Sequence, residues 1–146
     1  MKLIISFFAI VLIVSCKNEE KKITITEDEP TQTTQVAVKI VLRNFIHEDV
    51  ARYTMASVMG QIPKIIKVTK NDDLYYVSYI RKSDKQKFEY KIKFEDDKIF
   101  WANIDGRWRD SKYDEKITFV ENGNELNIIQ TFSDGSEDIK VYRKGD

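Results

Sequence analysis

The sequence predicts a mainly β fold of the α+β kind. It is an antiparallel β-meander of about eight short strands, able to close into a small barrel, preceded by one or two helices. Three observations predict it. Apolar residues alternate with polar ones after Pro63, most cleanly in "KFEYKIKFE" from Lys87 to Glu95, the period of a half-buried strand. Turn-forming pairs recur between the apolar runs, Asp105-Gly106 and Asn122-Gly123 among them, and such pairs favour tight hairpins. Helical spacing is confined to the stretch before Pro63, and proline forbids its continuation.

Residues 1–15 differ from the rest. Met1-Lys2 supplies a positive start, and Leu3 to Val14 is a run of twelve residues without charge. That length suits the apolar region of a secretory signal and falls short of the ~20 residues a bilayer span needs. The run ends at Cys16, the only cysteine, so the chain forms no intramolecular disulfide.

Ile13-Val14-Ser15-Cys16 resembles the lipobox of bacterial lipoproteins. The resemblance covers residues 1–16 alone. It implies a diacylglycerol on the Cys16 thiol, cleavage before Cys16, acylation of the new amino group, and a cell-envelope address at the outer membrane. One acyl chain holds a protein only marginally, whereas two or more anchor it, at ~0.8 kcal/mol per buried CH₂. A lipidated Cys16 is then neither a nucleophile nor a metal ligand. The "KNEEKK" that follows resembles the surface-export tag of lipoproteins from Bacteroidota-type bacteria. An ordinary solvated spacer is the alternative reading.

Residues 16–34 read as a flexible tether. Within "KNEEKKITITEDEPTQTT" only Ile23 and Ile25 are large and apolar, too few to offset the entropy of ordering the chain. Residues 35–146 read as a single globular domain, helical over 35–60 and a β-meander over 63–143. Val38, Val41, Leu42, Phe45 and Ile46 fall at helical spacing, although Val36, Val38, Ile40 and Leu42 also alternate as a strand would. His47-Glu48-Asp49 interrupts, and a helix over 49–59 follows, with Asp49 as N-cap and Gly60 as its stop. Strands are expected near 64–69, 74–82, 87–95, 98–104, 107–110, 116–121, 125–132 and 137–143. Tyr75, Val77 and Tyr79 share one face of the second of these, and Leu74, Tyr76 and Ile80 the other.

Composition narrows the function. Lys plus Arg equals Asp plus Glu at 24 each, so the chain lacks the basic excess that nucleic acid requires. The single histidine, His47, sits by no nucleophile elbow, and zinc sites gather several His and Cys ligands. No phosphate-cradling glycine motif is present. No catalytic residue, metal or cofactor is assigned. Acids cluster in "RDSKYDE", where Asp110, Asp114 and Glu115 lie together; their ordinary role is to satisfy turn amides.

The most distinctive stretch is "FWANIDGRWRD", Phe100 to Asp110, which carries both tryptophans. Read as a hairpin, it puts Trp101 and Trp108 on neighbouring strands, with Arg107 and Arg109 on the face opposite Trp108. Planar arginines beside aromatics suit carboxylate, phosphate or protein recognition. Trp101, Arg107, Trp108, Arg109 and Asp110 are therefore the candidate ligand-binding residues. The bland alternative plugs Trp108 into the core and pairs the arginines with Asp105, Asp110 or Glu115. The expected function is a non-catalytic, inhibitor-like binding module, tethered to the membrane at Cys16, for an envelope protein or small ligand. In size and strand content it looks similar to periplasmic lysozyme inhibitors and lipocalin-like lipoproteins. A small envelope hydrolase using Asp and Glu is the alternative.

Overall fold

A computed structural model describes residues 41–146. The expected signal (1–15), the lipidation site Cys16, the tether (16–34) and the start of the helical region, up to residue 40, lie outside the described residues.

Residues 41–46 are not helical. The Glu121 carboxylate takes the Arg43 and Asn44 backbone N–H groups at 2.9 and 2.8 Å, and the Asn44 amide donates to the Gly123 carbonyl at 2.7 Å. These bonds hold the segment against the Glu121 to Gly123 turn, with Phe45 buried near its end. The helical spacing of Leu42 and Phe45 thus serves the docking of an arm.

Helix α1 spans His47–Met59. Asp49 stands at the third helical position rather than at the cap, and its carboxylate accepts the Ile46 N–H at 3.2 Å, the acidic half of a capping box. It also draws in Arg52 and Lys144. The buried stripe is Val50, Ala51, Tyr53, Thr54, Met55 and Ala56. The helix stops at Gly60, whose φ of +60° is left-handed, and the Gln61 N–H returns to the Ala56 carbonyl at 3.0 Å. Pro63–Ile65 makes a 3₁₀ turn, so the strand expected from 64 begins only at Lys67.

Seven strands follow in one antiparallel sheet whose spatial order is the chain order: β1 Lys67–Asn71, β2 Leu74–Ile80, β3 Lys87–Glu95, β4 Lys98–Asn103, β5 Lys116–Asn122, β6 Glu125–Thr131 and β7 Glu137–Arg143. Of the eight expected strands, the fifth, 107–110, is loop. The sheet does not close into a barrel, since β1 and β7 are its two unpaired edges among the described residues. Helix α1 packs against β1, β2 and β6 instead. It covers the inner face, where Tyr75, Val77, Tyr90, Ile92, Ile99, Trp101, Ile117, Phe119, Leu126 and Ile128 are buried. Cross-strand pairs such as Val77 with Tyr90, Ile92 with Trp101 and Phe119 with Ile128 fix the register. A slip of one residue would turn this whole set to solvent.

On the outer face Asn127 lies between Val120 and Val141. Its side-chain oxygen is buried without a hydrogen-bond partner among the described residues. An orphaned acceptor costs ~1–3 kcal/mol. Asn127→Val is therefore expected to stabilise the domain by about 1 kcal/mol, raising Tm by ~4–8 °C. Calorimetric melting checks this, and an unchanged or lower Tm would contradict it.

Candidate functional site

The β4–β5 ladder is short. It joins Lys98 with Thr118 and Ile99 with Ile117, after the Phe119 N–H has met the Asp97 carbonyl at 3.3 Å. Beyond Ile99 the strands part, and the Trp101 carbonyl takes the Arg109 N–H at 2.9 Å. The segment from Ile104 to Glu115 fills the opening as a loop. Gly106 has no positive φ, contrary to the hairpin reading of Asp105-Gly106. A Cβ there would stand 3.1 Å from that of Asn103, so this glycine provides room.

Asp114 organises the loop. It accepts both Arg107 Nη groups at 2.7 and 2.9 Å, the Ser111 hydroxyl at 2.6 Å and the Ser111 N–H at 3.1 Å. Arg109 Nη1 stands 3.6 Å away. The carboxylate is covered by these donors rather than by the core. The Arg107 guanidinium, then the Ser111 hydroxyl, hold its carboxyl well below the usual aspartate range. A depressed folded pKa means this anchoring is complete above the unfolded value near 3.8. It is lost as pH falls below that value towards the folded one.

The five candidate residues part company. Trp101 is in the core wall, 5 % exposed, with its indole N–H on Glu115 Oε1 at 3.0 Å. Arg109 lies over its ring at 4.4 Å. Trp108 does not plug the core. It sits half-buried on the outer side, beside Lys91 and Lys93 at 5.3 and 5.5 Å. Arg107 is held by Asp114 and shapes the loop. Thus the expected strand face of Arg107 and Arg109 is replaced by a shared carboxylate, and neither Asp105, Asp110 nor Glu115 is that partner.

Arg109 and Asp110 line a cleft of about 430 Å³ where β4 and β5 separate. Lys98, Phe100, Lys116 and Thr118 contribute from the strands, and Ser111, Lys112 and Glu115 from the loop. Four cations (Lys98, Arg109, Lys112, Lys116) thus face two carboxylates around a largely apolar surface. This volume falls in the ~300–1,000 Å³ range of small-ligand sites. A second cavity, against Ile65 and Ile80, has about 190 Å³ and falls below it. Sequence reasoning missed Lys98, Phe100, Lys112, Lys116 and Thr118. The bases flanking Asp110 and Glu115 were a signal, but Lys98 and Lys116 read as ordinary solvated positions.

His47 is an aromatic packing residue. Its ring meets Phe94 at 4.9 Å and Tyr75 at 6.2 Å, and burial pushes the imidazole pKa down. Compared with known proteins, the chain matches no family model, no curated protein and no solved structure.

Proposed function

We propose that this protein is a non-catalytic binding module that captures an amphipathic anion, a carboxylate or phosphate with an apolar body, in the cleft between β4 and β5. The observation that carries the reading is the excess of cations around an apolar, ligand-sized opening. Cations at the rim of such a surface attract an anionic head, while Phe100 and the neighbouring backbone offer a surface for its tail. The lipobox-like segment ending at Cys16 supports a lipid tether and an outer-membrane address for this module. Asp110 and Glu115 also line the cleft, the feature a hydrolase would use. Glu115 already accepts the Trp101 indole N–H, which gives it a structural task and favours binding over acid–base chemistry.

Isothermal titration with octyl phosphate, inorganic phosphate and octyltrimethylammonium tests the reading. Octyl phosphate is expected to bind at one site, inorganic phosphate more weakly, and the cationic amphiphile not at all. Equal binding of both amphiphiles would remove the anion reading. A footprint confined to a protein surface, without amphiphile binding, would favour an envelope protein as partner.

A further inference from the structure

The free edge of the sheet carries a pattern that matches itself. At the turn that leads into β7 the Phe132 N–H donates to the Ser136 carbonyl at 2.9 Å. Ladder alternation then turns the backbone groups of Glu137, Ile139, Val141 and Arg143 away from β6. The Arg143 groups are already satisfied: its N–H by Asp146, its carbonyl by the Tyr53 hydroxyl and the Asp146 N–H. Those of Glu137, Ile139 and Val141 face outward with no partner among the described residues. The side chains of these positions share the outer face, and Ile139 and Val141 are 50 % and 53 % exposed there.

Edges of this kind template pairing with another strand unless they are guarded. At the opposite edge β1 carries Lys67 and Lys70, packs against α1, and has Arg52 on the preceding Ile66 carbonyl. On β7 the one lysine, Lys140, points to the inner face and is drawn to Asp138 at 3.1 Å.

We infer that β7 pairs antiparallel with β7 of a second copy of this chain, with Lys140 on the two-fold axis. The sequence Glu137-Asp138-Ile139-Lys140-Val141-Tyr142-Arg143 is self-complementary in that register. On the outer face Glu137 meets the second copy's Arg143 twice, and Ile139 meets Val141 twice. On the inner face Lys140 meets its own copy, an opposition of like charges that the two Asp138 carboxylates offset from the diagonal positions, each already drawn to a Lys140 at 3.1 Å. Ladder parity agrees, because Ile139 and Val141 both present outward N–H and C=O groups and can exchange them as a hydrogen-bonded pair. Opposed charges and aliphatic pairs are what stabilise such a junction. The pairing joins two seven-stranded sheets and is independent of the cleft.

The test is cross-linking of the full chain. In a non-hydrogen-bonded pair the Cα atoms lie ~4.5 Å apart, within disulfide reach. Lys140→Cys is therefore expected to form a disulfide dimer under mild oxidation at micromolar concentration, whereas Lys82→Cys, on an exposed loop, is not. The unsubstituted chain, whose one thiol is Cys16, controls for bridges made there. Added to Lys140→Cys, either Glu137→Arg or Arg143→Glu opposes like charges twice and should abolish the dimer. Mixing the two variants restores two opposed pairs and should restore a heterodimer, with circular dichroism confirming that each is folded. Failure of Lys140→Cys to exceed the Lys82→Cys control overturns the inference, as do single swaps that cross-link as well as the parent. Loss of amphiphile binding leaves these outcomes unmoved.

Discussion

Tyr53→Ala is expected to destabilise the domain by ~3–5 kcal/mol, the range for removing a large buried aromatic. Tyr53 is 1 % exposed. Its ring stacks on Tyr142 at 4.6 Å and 9°, and meets the Phe45 edge at 6.3 Å. Its hydroxyl donates to the Arg143 carbonyl at 2.8 Å. One side chain therefore ties α1 to the last strand and to the arm before the helix. A domain of this size is stable by ~5–15 kcal/mol, so the loss is about a fifth or more of the total. Tyr53→Phe keeps both ring contacts and loses one hydrogen bond, and should cost only ~1 kcal/mol. Urea denaturation separates the two, with the midpoint falling and the slope unchanged. A cost below ~1 kcal/mol for Tyr53→Ala would mean that α1 is not held against β7 as described.

Reversing two cations of the cleft is the second large effect. Lys98 and Lys116 stand on the outer faces of β4 and β5, at the cleft's strand side. Each exposed cation beside a bound anion contributes up to ~1 kcal/mol, and reversal replaces attraction with a repulsion of similar size. Lys98→Glu with Lys116→Glu should therefore weaken octyl phosphate binding by roughly tenfold to several hundredfold. Folding should be nearly unaffected, because both side chains are exposed. Arg107→Ala differs in kind: it removes the bidentate partner of Asp114 and acts on the cleft only through the loop's shape.

Much of the strand architecture was legible. Lys87–Glu95 is legible to the residue, because nine residues of strict alternation leave one solution for a sheet with a covered face. The same period separates Tyr75, Val77 and Tyr79 from Leu74, Tyr76 and Ile80 in β2, but with both faces apolar it does not tell which one packs inward; the structure buries the first set. The helix starts two residues before the expected Asp49, at His47, since an acid at the third helical position and one at the cap look alike in sequence. The strand-like alternation of Arg107 to Asp110 is overridden locally: Asp114, held by the Ser111 N–H and hydroxyl, is close enough in the chain to claim the arginines. Closure was not legible either. Whether a meander becomes a barrel depends on whether its edge strands meet, and here α1 occupies the inner face between them. The cleft arises from the divergence of β4 and β5 beyond Ile99, a tertiary event without any signature in the spacing of Lys98 or Lys116.

Chemical-shift mapping with octyl phosphate on the full chain examines the anion cleft most directly. The account expects saturable shifts concentrated at the amides of Ile99, Phe100, Arg109 to Lys112 and Lys116 to Thr118, and absent with octyltrimethylammonium. Shifts spread over the sheet surface, or centred on Trp108 with the cleft amides unmoved, would contradict it.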